Sequence, residues 1–242
     1  MRRTMTPELM DDPDVPRDDL DASLRFIRGV NRWLGGRRAL VGPLRRWAKA
    51  WPRDRDVTVL DVATGSADLP IAARAWARST GLRLKCTGVD NHATTLDLAR
   101  EQVEQAGAAD DIRLELVDAK RLVDHFGALS FDYVHAGMFL HHLGELEVLT
   151  VLRQMERVAR RGVIWNDLSR SRLAVLGAKI ITAGRREIIR HDAVVSVHKG
   201  FTKAEAIDAA KRVGLDYCRY SAMPIAQRFV VAGEKPGAWA NA

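Results

Sequence analysis

Two hydrophobic periods alternate along most of this chain. Short apolar, β-branched runs stand at 57–60, 84–89, 112–117, 131–136 and 162–165. Between them lie stretches whose apolar residues recur at helical spacing, such as 94–105, stopped at Gly107, and 146–159, with Leu149, Leu152, Met155 and Val158 in register. Strand-length runs alternating with amphipathic helices predict a parallel sheet covered by helices on both faces. Thr202 with Glu205 three positions later has the form of a capping box, opening a helix that runs to Val213 and stops at Gly214. Two last strands, 216–221 and 228–232, are separated by a turn containing Pro224. The expected fold is therefore α/β: a doubly wound, seven-stranded, mostly parallel sheet.

The rhythm breaks in two places. Residues 1–19 hold Pro7, Pro13 and Pro16 among acids and read as a loose tail. Residues 20–55 turn helical and form an N-terminal cap, broken at Gly35-Gly36 and Gly42-Pro43, with arginines opposite the apolar stripe. That cap reads first as packing with a solvated basic side; its sharper reading is a lid over the cofactor or a site for an acidic group. The main domain then spans 56–242, and after the fifth strand an insertion at 169–200 is expected to form a second lid. Within it, 169–190 reads as helix and 191–199 as a loop or short extended piece.

A chain of 242 residues makes one large domain or a domain with a modest appendage. No apolar run reaches the ~18–20 residues of a membrane span, and Met1-Arg2-Arg3 leads into no apolar core of a secretory signal. Cys86 and Cys218 both fall in strand-like stretches rather than in a disulfide framework, which makes a reducing cytoplasm the expected compartment. The net charge of +7 admits nucleic acid, an anionic membrane face or an acidic substrate as partner. It is equally what an arginine-rich composition produces.

The chemistry begins where the first strand ends. Val59-Leu60-Asp61-Val62-Ala63-Thr64-Gly65-Ser66-Ala67-Asp68-Leu69 is a strand, a turn of small residues and a helix start. Small side chains let backbone approach a ligand, and the helix behind the turn offers free N–H groups and its positive dipole end. Asp90 follows Gly65 by 25 positions (90 − 65), close to the separation expected of an acid that binds ribose hydroxyls. Asp61, Asp90 and Asp118 end three successive strands, so a parallel sheet brings all three to one carboxyl edge, where open α/β sheets bind ligands.

The pattern Asp61-x-Ala63-x-Gly65-x-Ala67 is no dinucleotide fingerprint. It resembles the acidic, glycine-rich loop of class I methyltransferases that use S-adenosylmethionine (SAM), with alanine in place of two glycines. The resemblance covers about 58–233 and implies a Rossmann-like methyltransferase fold. It implies that Asp61, Ala63 and Gly65 surround the methionine end of the cofactor, that Asp90 and Asn91 take the ribose, that Asp118-Ala119 address the adenine, and that Ala136 lies beside it. The run from Phe131 to Leu143 resembles the segment where this edge meets the methyl acceptor. It has no Asp/Asn-Pro-Pro-aromatic tetrapeptide, the signature of methylation at amide or base nitrogens. Met138, Phe139 and Leu140 instead suggest an apolar wall for a flat acceptor.

Among ionisable groups, His191 with its neighbour Asp192 is the expected base or substrate anchor, with His141 a further catalytic candidate. His142, Arg170 and Arg190 are substrate-binding candidates, the arginines as cations that lower the acceptor's pKa. No metal site is expected, because no carboxylate or cysteine stands at ligand spacing beside His135, His141 and His142. The loop wording is similar to ubiquinone and menaquinone C-methyltransferases, while Trp165-Asn166-Asp167-Leu168-Ser169-Arg170-Ser171 and Arg190-His191-Asp192 look like bacterial enzymes tailoring type III polyketides. Together they imply methyl transfer to oxygen or carbon of a small phenolic, quinone-like or polyketide acceptor in secondary metabolism, with a homodimer as an expected assembly. An RNA methyltransferase is the runner-up, without any appended RNA-binding signature. A non-catalytic SAM-binding regulator is the third reading.

Overall fold

Strands β1 (Val57–Val62), β2 (Leu84–Asp90), β3 (Ile112–Leu116), β4 (Phe131–Gly137), β5 (Ala159–Leu168), β6 (Arg219–Met223) and β7 (Arg228–Glu234) form a single sheet of order β3-β2-β1-β4-β5-β7-β6. The computed structural model describes residues 1–239. The first five strands are parallel; β7 runs antiparallel between β5 and β6, which closes the sheet as a hairpin. The central strands lack polar alternation because both faces are covered. Leu60, Val62, Val134, Ala136, Val163 and Trp165 pack on one side, and Val57, Val59, Tyr133 and Ile164 on the other.

Helices α3 (Asp68–Ser79) and α4 (Ala93–Gln105) follow β1 and β2; the short α5 (Leu122–Phe126) follows β3. Helices α6 (Glu145–Val158) and α9 (Lys203–Arg212) contribute to the layer holding Trp165 and Phe229. Thr202 caps α9 reciprocally with Glu205, as its sequence predicts. The strand starting at 159 is longer than the 162–165 run, because Asn166 and Asp167 remain on the sheet although they are polar.

Two regions depart from expectation. Residues 191–199 are no loop: α7 (Arg172–Ile181) is followed by α8 (Glu187–Lys199), which contains His191 in its second turn. The polar run His191-Asp192 hid the helix, since its buried residues Ile188, Ile189, Asp192, Ser196, Val197 and Lys199 include three polar ones. Residues 1–19, expected to be loose, lie along α8. Leu9–Asp11 form a 3-10 turn, and the backbone N–H groups of Leu9 and Met10 donate to Asp192 at 2.8 and 2.9 Å. Arg3 donates to the Lys199 and Leu143 carbonyls and stacks over Phe201, 4.3 Å from the ring centroid. The tail is held by polar anchors that composition cannot reveal. Helices α1 (Arg17–Trp33) and α2 (Gly36–Trp47) form the cap. Among the described residues no helix is long and apolar enough to cross a membrane.

Candidate functional site

The loop after β1 is left-handed at alternate positions: Ala63, Gly65 and Ala67 have φ of 53°, 55° and 56°. The two alanines thus adopt the backbone that glycine serves in the related pattern, at a cost of about 1 kcal/mol each. The side chains behind the loop stabilise it. Asp61 Oδ2 accepts from Thr64 Oγ1 at 2.7 Å, and Asp90 accepts from the N–H groups of Gly65 and His92, both at 3.1 Å. Burial pushes the Asp90 carboxyl upward against those two bonds. Each Asp90 oxygen retains a lone pair for a further donor. The Ser66 hydroxyl and Asp68 Oδ2 are buried without a partner, two polar atoms at the helix start. Burial raises the Asp68 carboxyl to about 6.

This loop floors a cavity of about 660 Å³. Asp61, Ala63, Gly65, Asp90 and Asn91 line one end. A side recess of about 70 Å³, bounded by Asp118, Ala119 and again Asp90, adjoins it. Asp61 and Asp90 border the main cavity, and Asp90 and Asp118 border the recess beside it. An apolar wall is formed by Phe26, Ile27 and Val30 of α1 with Met138, Ala178 and Ile189. Helix α1 of the cap thus lines the cavity as well as packing on the fold.

Against this wall stands a buried charge cluster. His141, 1% exposed, points its Nδ1 at Asp167 Oδ1 (2.6 Å) and its unpartnered Nε2 towards Glu8 Oε1 (3.6 Å). Burial alone would lower the His141 pKa, but Asp167 and Glu8 raise it to about 9. Burial would likewise raise the Glu8 carboxyl, yet His142, His141 and Lys199 hold it well below the usual range. Lys199, itself 2% exposed, donates to Glu8 at 3.1 Å. His142 Nδ1 meets Asp11 at 2.7 Å. The tail thus supplies the carboxylate missing near these histidines in sequence: ligand-type atoms of Glu8, His141 and His142 lie within 4.8 Å of one another. The Lys199 ammonium, 3.1 Å from Glu8 and 3.5 Å from His142, already supplies a positive charge there.

A second polar chain crosses the floor. Asp61 bonds His135 Nδ1, His135 Nε2 meets the Asn166 amide at 2.8 Å, and Asn166 Oδ1 accepts from Arg228 at 3.3 Å. Arg228 also donates to Asn31 Oδ1 at 3.1 Å, and Asn31 donates to Asp68 at 3.3 Å. Gly137 makes room for this chain, since a Cβ there would meet Asn166 Nδ2 and His135 Cε1 at 2.8 Å.

Several expected site residues lie elsewhere. His191 does not line the cavity; its ring is 38% exposed and pairs with Asp192. Asp192 does line it, but its oxygens hold the tail's backbone and His191. Arg170 is tied to the Gly200 carbonyl and Glu205, away from the cavity, and Arg190 is exposed on α8. A helix puts successive residues about 100° apart, so adjacency to a cavity residue does not carry His191 or Arg190 inward. Ala136 is packed in the sheet, and its neighbour Gly137 reaches the cavity instead. Met138, His141 and His142 do line it. Sequence reasoning missed Glu8, Asn31, Asp167, Lys199 and Arg228, and quoted Asp68 only as a helix start. Only Asn166-Asp167 carried a signal: two polar residues closing an apolar strand at the ligand edge.

Residues 59–162 match the family model described as "Methyltransferase domain". A comparison with curated proteins found no match. Solved structures resemble the fold at low identity. An O-methyltransferase family protein from Burkholderia thailandensis has a TM-score of 0.63 at 14% identity, covering 90% of this chain and 59% of its own. PigF with S-adenosylhomocysteine (SAH) has 0.59 at 20%, covering 94% and 61%. Magnesium protoporphyrin IX methyltransferase from Synechocystis PCC 6803, with bound SAM, has 0.56 at 11%, covering 84% and 79%. This chain spans about six tenths of the length of the O-methyltransferase structures it matches.

Proposed function

We propose, from the match of residues 59–162 to a methyltransferase-domain model, that this chain transfers the methyl group of SAM to an oxygen or carbon of a small, flat, largely apolar acceptor. The observation that carries this reading is one continuous cavity joining the Asp61–Asp90 end to the apolar wall. The residues fit the cofactor: Asp90 has free lone pairs for ribose hydroxyls, the Asp118–Ala119 recess suits a flat base, and Asp61 with the unpaired Asp68 Oδ2 offers negative charge to an ammonium. When bound, SAM supplies an electrophilic methyl on sulfur. The walls of α1, Met138 and α8 hold the acceptor in line, and alignment of this kind contributes ~7–11 kcal/mol. Enclosure by the cap, the insertion and the tail excludes water, and it favours a small molecule over an RNA strand.

His141 takes the place expected of His191. Held charged between Asp167 and Glu8, its imidazolium favours the ionised form of an acceptor oxygen docked beside it. A neutral base is then unnecessary, and the nucleophile is an oxyanion or the carbon conjugated to it. Incubation with SAM and a panel of phenols, quinols and enolic polyketides, read by mass spectrometry, tests the proposal: an acceptor heavier by one methyl group is expected. Cofactor binding with no product from any of them would instead favour a regulatory role, and product only on RNA would favour nucleic acid.

A further inference from the structure

Arg228 opens β7 at the carboxyl edge of the sheet and is 1% exposed. It lines the cavity, and its Nε is buried without a partner. Its two hydrogen bonds go to neutral amide oxygens, those of Asn166 and Asn31. A guanidinium has five N–H donors, so most of them remain unused. Among the described residues no carboxylate stands within ion-pair distance of it. Asp167 is turned to His141, Trp165 and the Leu168 N–H, and Asp68 is reached only through Asn31. Burial pulls the Arg228 pKa down to about 10, against the attraction of those two acids. A buried cation on neutral partners is costly unless an anion completes it. Strand order places β7 three positions from β1, roughly 14 Å at about 4.8 Å per strand. The strand therefore meets the cavity wall beside Leu168, Ile225 and Gln227, while the guanidinium reaches back to Asn31, which bonds Asp68 at the start of α3.

We propose that Arg228 is an anion-recognition residue which binds a planar oxyanion, a carboxylate or an equally acidic enolate, on the methyl acceptor. The unpartnered Nε–H and a neighbouring free N–H form the two-pronged donor that such a group accepts. Asn31 and Asn166 orient the guanidinium without neutralising it. The inference rests on the methyl-transfer reading for the word acceptor, and it narrows the substrate class to acidic aromatic or enolic molecules.

The test is calorimetric and needs no turnover. Hydroxybenzoates and hydroxynaphthoates are titrated, with their methyl esters, into the full chain saturated with SAH. Wild type is expected to bind the acids at least about tenfold more tightly than the esters, the range of a charge-assisted hydrogen bond. Arg228→Gln is expected to abolish that preference while leaving SAH affinity within about twofold, and Arg228→Lys to keep part of it. Equal wild-type affinity for acid and ester overturns the proposal, and this arm requires no variant to fold. Loss of SAH affinity in Arg228→Gln with the acid preference unchanged also overturns it, by assigning the arginine to the cofactor's own carboxylate. Methylation confined to neutral quinols would sink this proposal but leave the methyl-transfer reading standing. If SAH fails to bind, that reading falls, and titration of the acids into the unliganded chain still decides the role of Arg228.

Discussion

At the scale of single residues, His141 and His191 differ in what surrounds them. Both have a carboxylate partner, Asp167 and Asp192, but only His141 is buried on the cavity wall. Replacing His141 with Asn is expected to lower turnover ~10²-fold or more with SAH affinity kept, whereas His191→Ala leaves turnover within about twofold. Steady-state kinetics on any accepted substrate would decide, and the reverse ranking would return the role to His191. Protonation of His141 also has a stability consequence. Burial opposes the charge, but the two carboxylates outweigh it, so the folded pKa of about 9 lies above the ordinary 6.5. The fold then binds the protonated form preferentially: this contribution is fully present below about pH 6.5 and is lost as pH rises through about 9. Thermal unfolding across pH 6–10 should show the decline, and Asp167→Asn should flatten it. An unchanged slope in that variant would exclude Asp167 as the cause.

At the scale of elements, the tail and α8 are one polar interlock. Glu8 and Lys199 are both nearly inaccessible and touch each other, so removing one leaves the other charged and buried. Glu8→Ala is expected to cost about 3–5 kcal/mol in chemical denaturation, and Glu8→Gln with Lys199→Met to recover most of it. A loss below ~1 kcal/mol in the single variant would show that the tail does not bear on stability. The same elements show why the insertion was only half legible. Helix α7 announces itself with Leu173, Leu176 and Ile180, which are exposed, while α8 is a helix whose buried face is half polar. Hydrophobic periodicity detects an apolar stripe whichever surface it faces; a face that meets a charged tail leaves no such trace.

At the scale of the whole molecule, the net charge of +7 does not line the cavity: its walls carry the apolar face of α1 and the tail's Glu8 and Asp11, with Arg228 as their arginine. Acceptor binding should therefore weaken by less than about threefold between 50 and 200 mM salt, against the 10³–10⁵ of a strand-binding protein. Filter binding of RNA and calorimetry of small acceptors, run side by side, make that comparison; a steep slope for RNA at low concentration would reverse the choice of substrate class. The seven-stranded sheet, its parallel core and the edge bearing Asp61, Asp90 and Asp118 were readable from the chain alone. Strand and helix periods, small residues in a turn and acids at strand ends are local facts, imposed by neighbours within a few positions. Glu8 beside His141, and Arg228 between Asn31 and Asn166, join residues more than sixty positions apart, and in most pairs well over a hundred. Such pairings depend on which side chain each fold layer turns inward and on the desolvation they share, so only the folded arrangement could decide them.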